Sequence, residues 1–212
     1  MPQNNVEKNS PARTDGAIVR PQGSSQARRR SAILEATRHL CRNIGYEATT
    51  MDAVAHEAGV TKPTLYAYFS NKEELAVEAF VESVEGRIAL IDHMPESLSP
   101  LERFKRTLRY ILEEKISGEQ IVLAWPGPPI ATHPRFQGAL QTLVDRSVAL
   151  LRAGQECGDA NPALDPDIVV HTYVGILTDP RLEILLRSRQ TSPEAAIETL
   201  YAILIGGLQT PG

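Results

Sequence analysis

Apolar residues in this chain recur at three- and four-residue steps over most of its length, the spacing that gathers them on one side of an α-helix. The first 24 residues are the exception. They are rich in Pro, Gln, Asn, Ser and Gly, with Val6, Ile18 and Val19 as the only large aliphatics. That is too little apolar surface to offset the entropy of ordering, so residues 1–24 are expected to form a disordered arm. From Ser25 onward Ile33, Thr37, Leu40, Cys41 and Ile44 keep the helical step until Gly45, a C-terminal stop, and predict a helix over about 26–43. Met51, Val54, Ala55 and Ala58 predict a short helix capped by Thr49 or Thr50 and closed by Gly59; Thr61 with Pro63 opens a third. Asn71 followed by Glu74 reads as a capping box for a fourth helix that runs to Met94-Pro95.

The second half follows the same rules. Ser99, Pro100 and Glu102 are in turn a cap, a first-turn proline and a capping-box acid, and Leu108, Ile111 and Leu112 carry the helix they start. The segment WPGPPIATHP, Trp125 to Pro134, has four prolines and must be largely non-helical, with a short helix over about 119–125 able to precede it. Pro134 opens a helix whose apolar step lasts to about Ala153. Asp165-Pro166 starts one that is apolar around more than half its girth and that Pro180 should kink or interrupt before Leu182 to Leu186. Ser192-Pro193-Glu194 starts the last, which ends at Gly206-Gly207. No strand and no internal repeat is predicted, so the fold class is all-α.

Length and composition narrow the classes. With 212 residues and 42% hydrophobic positions the chain can build one large core or two small ones, and no stretch reaches the roughly 18 consecutive apolar residues of a membrane span. The N-terminal MPQNNVEKNS lacks the charged-then-apolar run of a signal peptide, so a cytoplasmic protein with no membrane partner is expected. Two distant cysteines, Cys41 and Cys157, exclude a disulfide framework and read as small buried hydrophobes. Charge is uneven. Residues 1–72 carry 10 Lys and Arg against 6 Asp and Glu, and the remainder 12 against 20, within a net charge of −4. A basic head on an acidic body suits an anionic polymer, although a merely solubilising arm has the same composition.

The stretch GYEATTMDAVAHEAGVTKPTLYAYFSNKEEL, Gly45 to Leu75, places two short helices on either side of Ala58-Gly59-Val60, a helix-turn-helix. On the second of them Leu65 and Phe69 should face the unit's own core while Pro63, Thr64, Tyr66 and Ala67 point away, with Lys62 at the start and Tyr68 at the rim. A lysine, hydroxyls and a tyrosine beside a helix N-terminus suit phosphate and base-edge contacts in a major groove. Ordinary packing between neighbouring helices is the alternative for Tyr66 and Tyr68.

Residues 28–75 resemble the DNA-binding domain of the TetR/AcrR family of transcriptional regulators. The resemblance rests on Gly45-Tyr46, Thr49-Thr50, Val54-Ala55, Ala58-Gly59-Val60, Thr64-Leu65-Tyr66, Tyr68-Phe69 and Lys72 to Leu75 at ungapped spacing; Thr61 and Pro63 depart from the usual serine and glycine. It implies a DNA-binding domain over 25–72 and a helical ligand-binding and dimerisation domain over 73–212. It also implies a cytoplasmic homodimeric repressor that leaves a palindromic double-stranded DNA operator when a small effector binds. Carried over residue by residue, Thr50, Tyr66, Tyr68 and Lys72 would contact phosphates, and Lys62, Pro63 and Thr64 would lie near base edges. Thr49 and Thr61 are counted with them, and Arg28, Arg29 and Arg30 could reach the backbone or the minor groove.

Beyond the head, aliphatic faces with isolated polar groups predict a pocket for a largely apolar compound. Its candidates are His93, Phe104, Leu108, Arg109, Trp125, His133, Phe136 and Tyr173; Trp125 could equally plug the core. The apolar girth of 166–186 and the last helix call for a covering partner, the alternative being that 166–186 is the central core helix of a monomer, and the resemblance implies a two-fold four-helix interface. Ile176, Leu185, Ile197, Leu200, Tyr201 and Leu204 are its candidates. His171 and Asp167 share a helix face but a solvated or core histidine is the simpler reading, so no metal and no cofactor is assigned. No phosphate-binding glycine loop or GxSxG occurs and the adjacent Glu113-Glu114 cannot face one another, so an enzyme is not expected. A helical protein-interaction scaffold would account for the body but not the basic head; a regulator that activates, or that answers to no small molecule, would use the same residues.

Overall fold

In a computed structural model, described here for residues 25–117, 120–121 and 126–209, the chain forms α1 (Ser25–Ala48), α2 (Met51–Glu57), α3 (Lys62–Tyr68), α4 (Lys72–His93), α5 (Pro100–Lys115), β1 (Ile116–Ser117), β2 (Gln120–Ile121), α6 (Pro134–Glu156), α7 (Pro166–Leu177), α8 (Pro180–Ser188) and α9 (Pro193–Ile205). Local chemistry sets the starts. Thr50, Thr61, Asn71, Ser99, Asp165, Asp179 and Ser192 each turn a side-chain oxygen onto a backbone N–H of the first turn, and His133 does so with Nδ1. Pro100, Pro134, Pro166, Pro180 and Pro193 stand at helix starts, where the missing N–H has no helical partner to lose. At α4 the box is displaced by one residue: Glu74 accepts from Ser70 N rather than from Asn71 N.

Three apolar clusters form. The head packs Ile33 and Leu34 of α1, Val54 of α2 and Leu65 and Phe69 against Leu75 and Ala79 of α4. The body packs Ala76, Val81 and Val84 of α4 against Phe104 of α5, Phe136 and Val148 of α6 and Val170 of α7. A third cluster joins Leu108 and Leu112 of α5 to Leu177, Ala196, Leu200 and Leu204. Arg38 of α1 donates to the Ala79 carbonyl at 3.0 Å and pairs with Glu82 at 3.1 Å, fixing the head along α4.

Several expectations are corrected. The first helix runs on to Ala48 across a break at Gly45 (φ 83°), because the Thr49 amide and hydroxyl both close back onto the Gly45 carbonyl. Where the sequence predicts a short helix over 119–125, Gln120–Ile121 instead pairs antiparallel with Ile116–Ser117, Ile116 opposite Ile121; residues 118–119 and 122–125 lie outside the described residues. Cys41 is half-buried and Cys157 exposed, since Cys157 caps the end of α6 instead of facing the core. Leu200 and Leu204 are buried, at 5% and 3% exposure, against α5 of the same chain. The apolar side chains left outward on these elements are Ile168, Ile184, Leu185 and Ile203. Ile176, Ile197 and Tyr201 are half-buried at the edge of the third cluster. The sequence-predicted arm over 1–24 lies outside the described residues.

Gly45 and Gly86 separate backbone from packing effects, because a Cβ at either would meet nothing within 4 Å. Gly45→Ala places an L-residue at φ 83°, ψ 159°, a region essentially reserved to glycine, and should lower stability by about 1–3 kcal/mol. Gly86→Ala, in the exposed middle of α4, should raise it by about 0.8–1 kcal/mol. Urea unfolding followed by circular dichroism distinguishes the two signs.

Candidate nucleic-acid interface and effector cavity

The head presents α3 outward. Leu65 (0% exposed) and Phe69 (4%) anchor it, while Lys62, Pro63, Tyr66 (46%) and Ala67 are exposed. Thr61 accepts from the Thr64 amide at 3.3 Å and their hydroxyls lie 2.8 Å apart, so both stand at the N-terminus of α3, where unpaired N–H groups attract anions. Lys62 pairs with Asp52 of α2 at 2.7 Å; both groups are largely exposed, and hydrogen bonding to Asp52 raises the Lys62 ammonium above its usual range. Thr50 is exposed at the start of α2, and Tyr68 reaches the Gln26 carbonyl of α1 at 3.3 Å.

Other nominated cations and hydroxyls are already committed. Thr49 is 1% exposed with its hydroxyl spent on Gly45, so it holds the turn and does not face outward. Lys72 donates to the Tyr46 and Glu47 carbonyls at 3.0 and 3.3 Å, with its ammonium 4.2 Å from the Tyr46 ring centroid. It therefore ties α4 to the end of α1. Arg30 pairs with Glu78 and Glu82 of α4, whereas Arg28 and Arg29 are exposed on the first turn of α1.

A cavity of about 610 Å³ opens between head and body. Phe80 and Val84 of α4, Ile111 of α5, Phe136, Leu140 and Leu143 of α6 and Val174 and Leu177 of α7 give it apolar walls. One side is made by α1 itself, from Cys41 through Arg42 to the break at Gly45 and on to Ala48. A much smaller hollow beyond Ile111, Leu140 and Leu143 is lined by Phe104, Leu108 and Tyr173. Of the eight nominated pocket residues, Phe136 lines the large cavity and these three the small one. Three lie elsewhere: His93 is exposed and bonded to the Ala89 carbonyl, His133 caps α6, and Arg109 pairs with Glu198 at 2.9 Å over the Tyr201 ring. Trp125 lies outside the described residues. Tyr173 uses its hydroxyl on the Leu204 carbonyl, and burial raises it to about 12.

The polar end of the cavity had not been singled out. Arg42, Ser83, Arg87 and Lys115 line it. Behind them Glu114 accepts from Ser83 at 2.7 Å, Arg87 at 2.9 Å and Arg42 at 3.0 Å. Burial alone would raise Glu114, but the charge and hydrogen bond of Arg87, then Ser83 and Arg42, outweigh it and hold the carboxyl at about 2. Burial, then the neighbouring Arg87 and Arg42 charges, lowers Lys115 to about 7. Ser83 and Arg87, four apart on α4, share one face; that spacing was the available signal, but their partners on α1 and α5 come together only in the folded chain. Among the described residues no group of three metal-ligating side chains forms; the Asp167 carboxylate pairs with Arg152 at 2.5 Å, and His171 Nδ1 lies 2.7 Å from the Asp167 backbone carbonyl. No helix among the described residues is long and apolar enough to cross a membrane.

Residues 33–79 match the family model described as bacterial regulatory proteins, tetR family. The transcriptional repressor KstR of Rhodococcus jostii (strain RHA1) is 42% identical over 88 residues, 42% of this chain and 41% of that protein. The uncharacterized transcriptional regulator YhgD of Bacillus subtilis is also 42% identical, over 86 residues that cover 45% of it. The chain thus spans less than half the length of these two relatives. The transcriptional regulator RutR of Escherichia coli (strain K12) is 26% identical over 163 residues, 74% of this chain and 76% of its own. Among solved structures, CprB from S. coelicolor A3(2) superposes with a TM-score of 0.65 at 23% identity, covering 87% of this chain and 90% of that one. FadR from Bacillus subtilis in complex with stearoyl-CoA gives 0.61 at 17%, covering 83% and 97%. At those identities the two structures share the fold.

The Glu114 cluster has a pH signature. A carboxyl held near 2 in the fold, against about 4.5 free, stabilises the protein above pH 4.5 and loses that contribution as pH falls toward 2. In Glu114→Gln the fall in stability between those pH values should be smaller than in the parent by about 3 kcal/mol, read from urea unfolding at each pH. Identical pH profiles would show that the cluster does not hold Glu114 down.

Proposed function

Because the chain belongs to the TetR family of bacterial regulatory proteins, we propose that it is a transcriptional repressor that binds a palindromic operator as a homodimer and leaves it when a small, largely apolar effector fills the cavity between head and body. The observation that carries the reading is α3: a helix anchored by Leu65 and Phe69 that turns Lys62, Pro63, Thr64 and Tyr66 away from its own core. A two-fold pair of such helices would enter successive major grooves about 34–36 Å apart. Thr50 and Tyr66 would hold phosphates, Lys62 and Thr64 would read base edges, and Arg28 and Arg29 would follow the backbone. The Lys62–Asp52 pair is exposed on both sides and gives way at little cost. For the dimer the outward apolar side chains are Ile168, Ile184, Leu185 and Ile203, with the small exposed Gly175, Ala202, Gly206 and Gly207 permitting close helix approach. Domain limits near residues 25–72 and 73–212 fit a head and body joined through α4.

Fluorescence anisotropy with DNA from upstream of the protein's own gene tests the DNA reading. Binding should fall steeply with salt, Tyr66→Ala should weaken all sequences by about 1 kcal/mol, and Lys62→Ala or Thr64→Ala should cost about 1–3 kcal/mol at the cognate site and blur its preference. Salt-insensitive binding, or a Lys62/Tyr66 double alanine variant with parental affinity, would sink it.

Assembly is tested separately by light scattering. Ile184→Glu combined with Ile203→Glu should give folded monomers that lose operator affinity, because both heads are needed at once. Leu200→Glu should instead unfold the chain, since Leu200 is buried within it. A parent protein that is monomeric at micromolar concentration removes the dimer.

A further inference from the structure

The cavity between head and body is chemically two-ended. Its walls on α4, α6 and α7 are aliphatic and aromatic, and its far end is cationic: Arg42, Arg87 and Lys115 line it together with the Ser83 hydroxyl. Glu114, the one carboxylate paired with both guanidiniums, offsets only one of their two charges and is not part of the lining; it holds them from behind. Among the described lining residues the one acid is Glu47, which is exposed to solvent. Both arginines are permanently charged, and each carries five N–H donors. Arg42 uses one nitrogen on Glu114, and Arg87 uses two, on Glu114 and Ser83. Donors therefore remain at the edge of an apolar chamber, an arrangement that recognises a ligand with one anionic end.

We propose that the cavity takes an anionic amphiphile, an aliphatic or aromatic body with a single carboxylate head, and that the head is received by Arg42 and Arg87 in competition with Glu114. The consequence for DNA rests on the repressor reading above. Arg42 belongs to α1, three residues before the break at Gly45, and its bond to Glu114 ties the head to α5. A ligand carboxylate that draws Arg42 off Glu114 loosens that tie and meets the Gly45–Ala48 wall directly, next to the turn that Thr49 closes before α2. The ligand thereby favours a head position other than the one seen without it.

Isothermal titration calorimetry on the full chain, without DNA, decides the charge preference with two matched pairs: decanoate against 1-decanol, and 4-butylbenzoate against 4-butylbenzyl alcohol. At least one acid should bind about tenfold or more tighter than its alcohol. Arg42→Gln and Arg87→Gln should each bring acid affinity down toward that of the alcohol, and Glu114→Gln, which removes the competitor, should tighten the acid. Thermal melts confirm that each variant is folded. If neither acid exceeds its alcohol, or if both arginine variants keep the preference, the proposal is overturned. Anisotropy with the upstream DNA then tests coupling: the acid should release DNA from the parent and fail to do so from Arg42→Gln. Acid binding with unchanged DNA affinity removes the coupling. A protein that binds no DNA removes the repressor reading, while the calorimetry still decides the ligand class.

Discussion

One helix, α4, buries opposite faces in two different cores, and the geometry of the molecule depends on that double use. Leu75 and Ala79 belong to the head, and Ala76, Val77, Val81 and Val84 to the body. Successive residues on a helix turn by about 100°, so these sets lie on opposed sides of a single rigid rod. Neither core can shift along α4 without exposing apolar surface, at roughly 25 cal/mol per Å². The rod is continuous from the Asn71 cap to His93, with no break in its backbone. Relative motion of head and body must therefore come from α1 and α6 moving about α4.

The contacts at those boundaries are polar. Glu78 bridges Arg30 of the head and Arg135 of α6, Glu82 takes Arg30 and Arg38, and Glu114 takes Arg42 from the head and Arg87 from α4. Exposed pairs of this kind contribute about 0–1 kcal/mol each, and removing one partner of a half-buried pair costs more because the other charge is left uncompensated. The apolar cores hold the units together, while the ion pairs choose among nearby arrangements. A bias of about 1–3 kcal/mol suffices for allosteric control, the scale of one or two of these links. Among them the Glu114 cluster adjoins the large cavity, and Gly45 sits on the same wall.

Helix starts were legible in the sequence because capping is local: a Ser, Thr, Asp or Asn followed by proline or an acid carries its own signal. The helix-turn-helix was legible for the same reason, as Leu65, Phe69 and the Gly59 turn lie within a few residues of one another. The choice between Thr49 and Thr50 was not, since both can cap; the fold spends Thr49 on the Gly45 carbonyl and leaves Thr50 for Ala53. The polar end of the cavity was not legible because Arg42, Ser83, Arg87 and Glu114 come from three helices, and nothing in their spacing brings the first to the last. In the closing helices nearly every side is apolar, so periodicity could not say whether Leu200 and Leu204 or Ile203 faced inward. Packing against Leu108 and Leu112 decided it.

Charge counting along the chain does not tell which cations face outward. Residues 1–72 are basic in sum, yet Arg30, Arg38, Arg42 and Lys72 are engaged by Glu78, Glu82, Glu114 and the carbonyls that end α1. These cations fasten the head to the body. On the outward side, among the described residues, Arg28, Arg29 and Lys62 remain, and Lys62 already has Asp52 beside it. Contact with DNA phosphates would add to these cations the helix N-termini at Thr50 and Thr61 and the Tyr66 hydroxyl, donors fixed by the fold. A head of this kind combines salt-dependent attraction with the fit of α3 to its site.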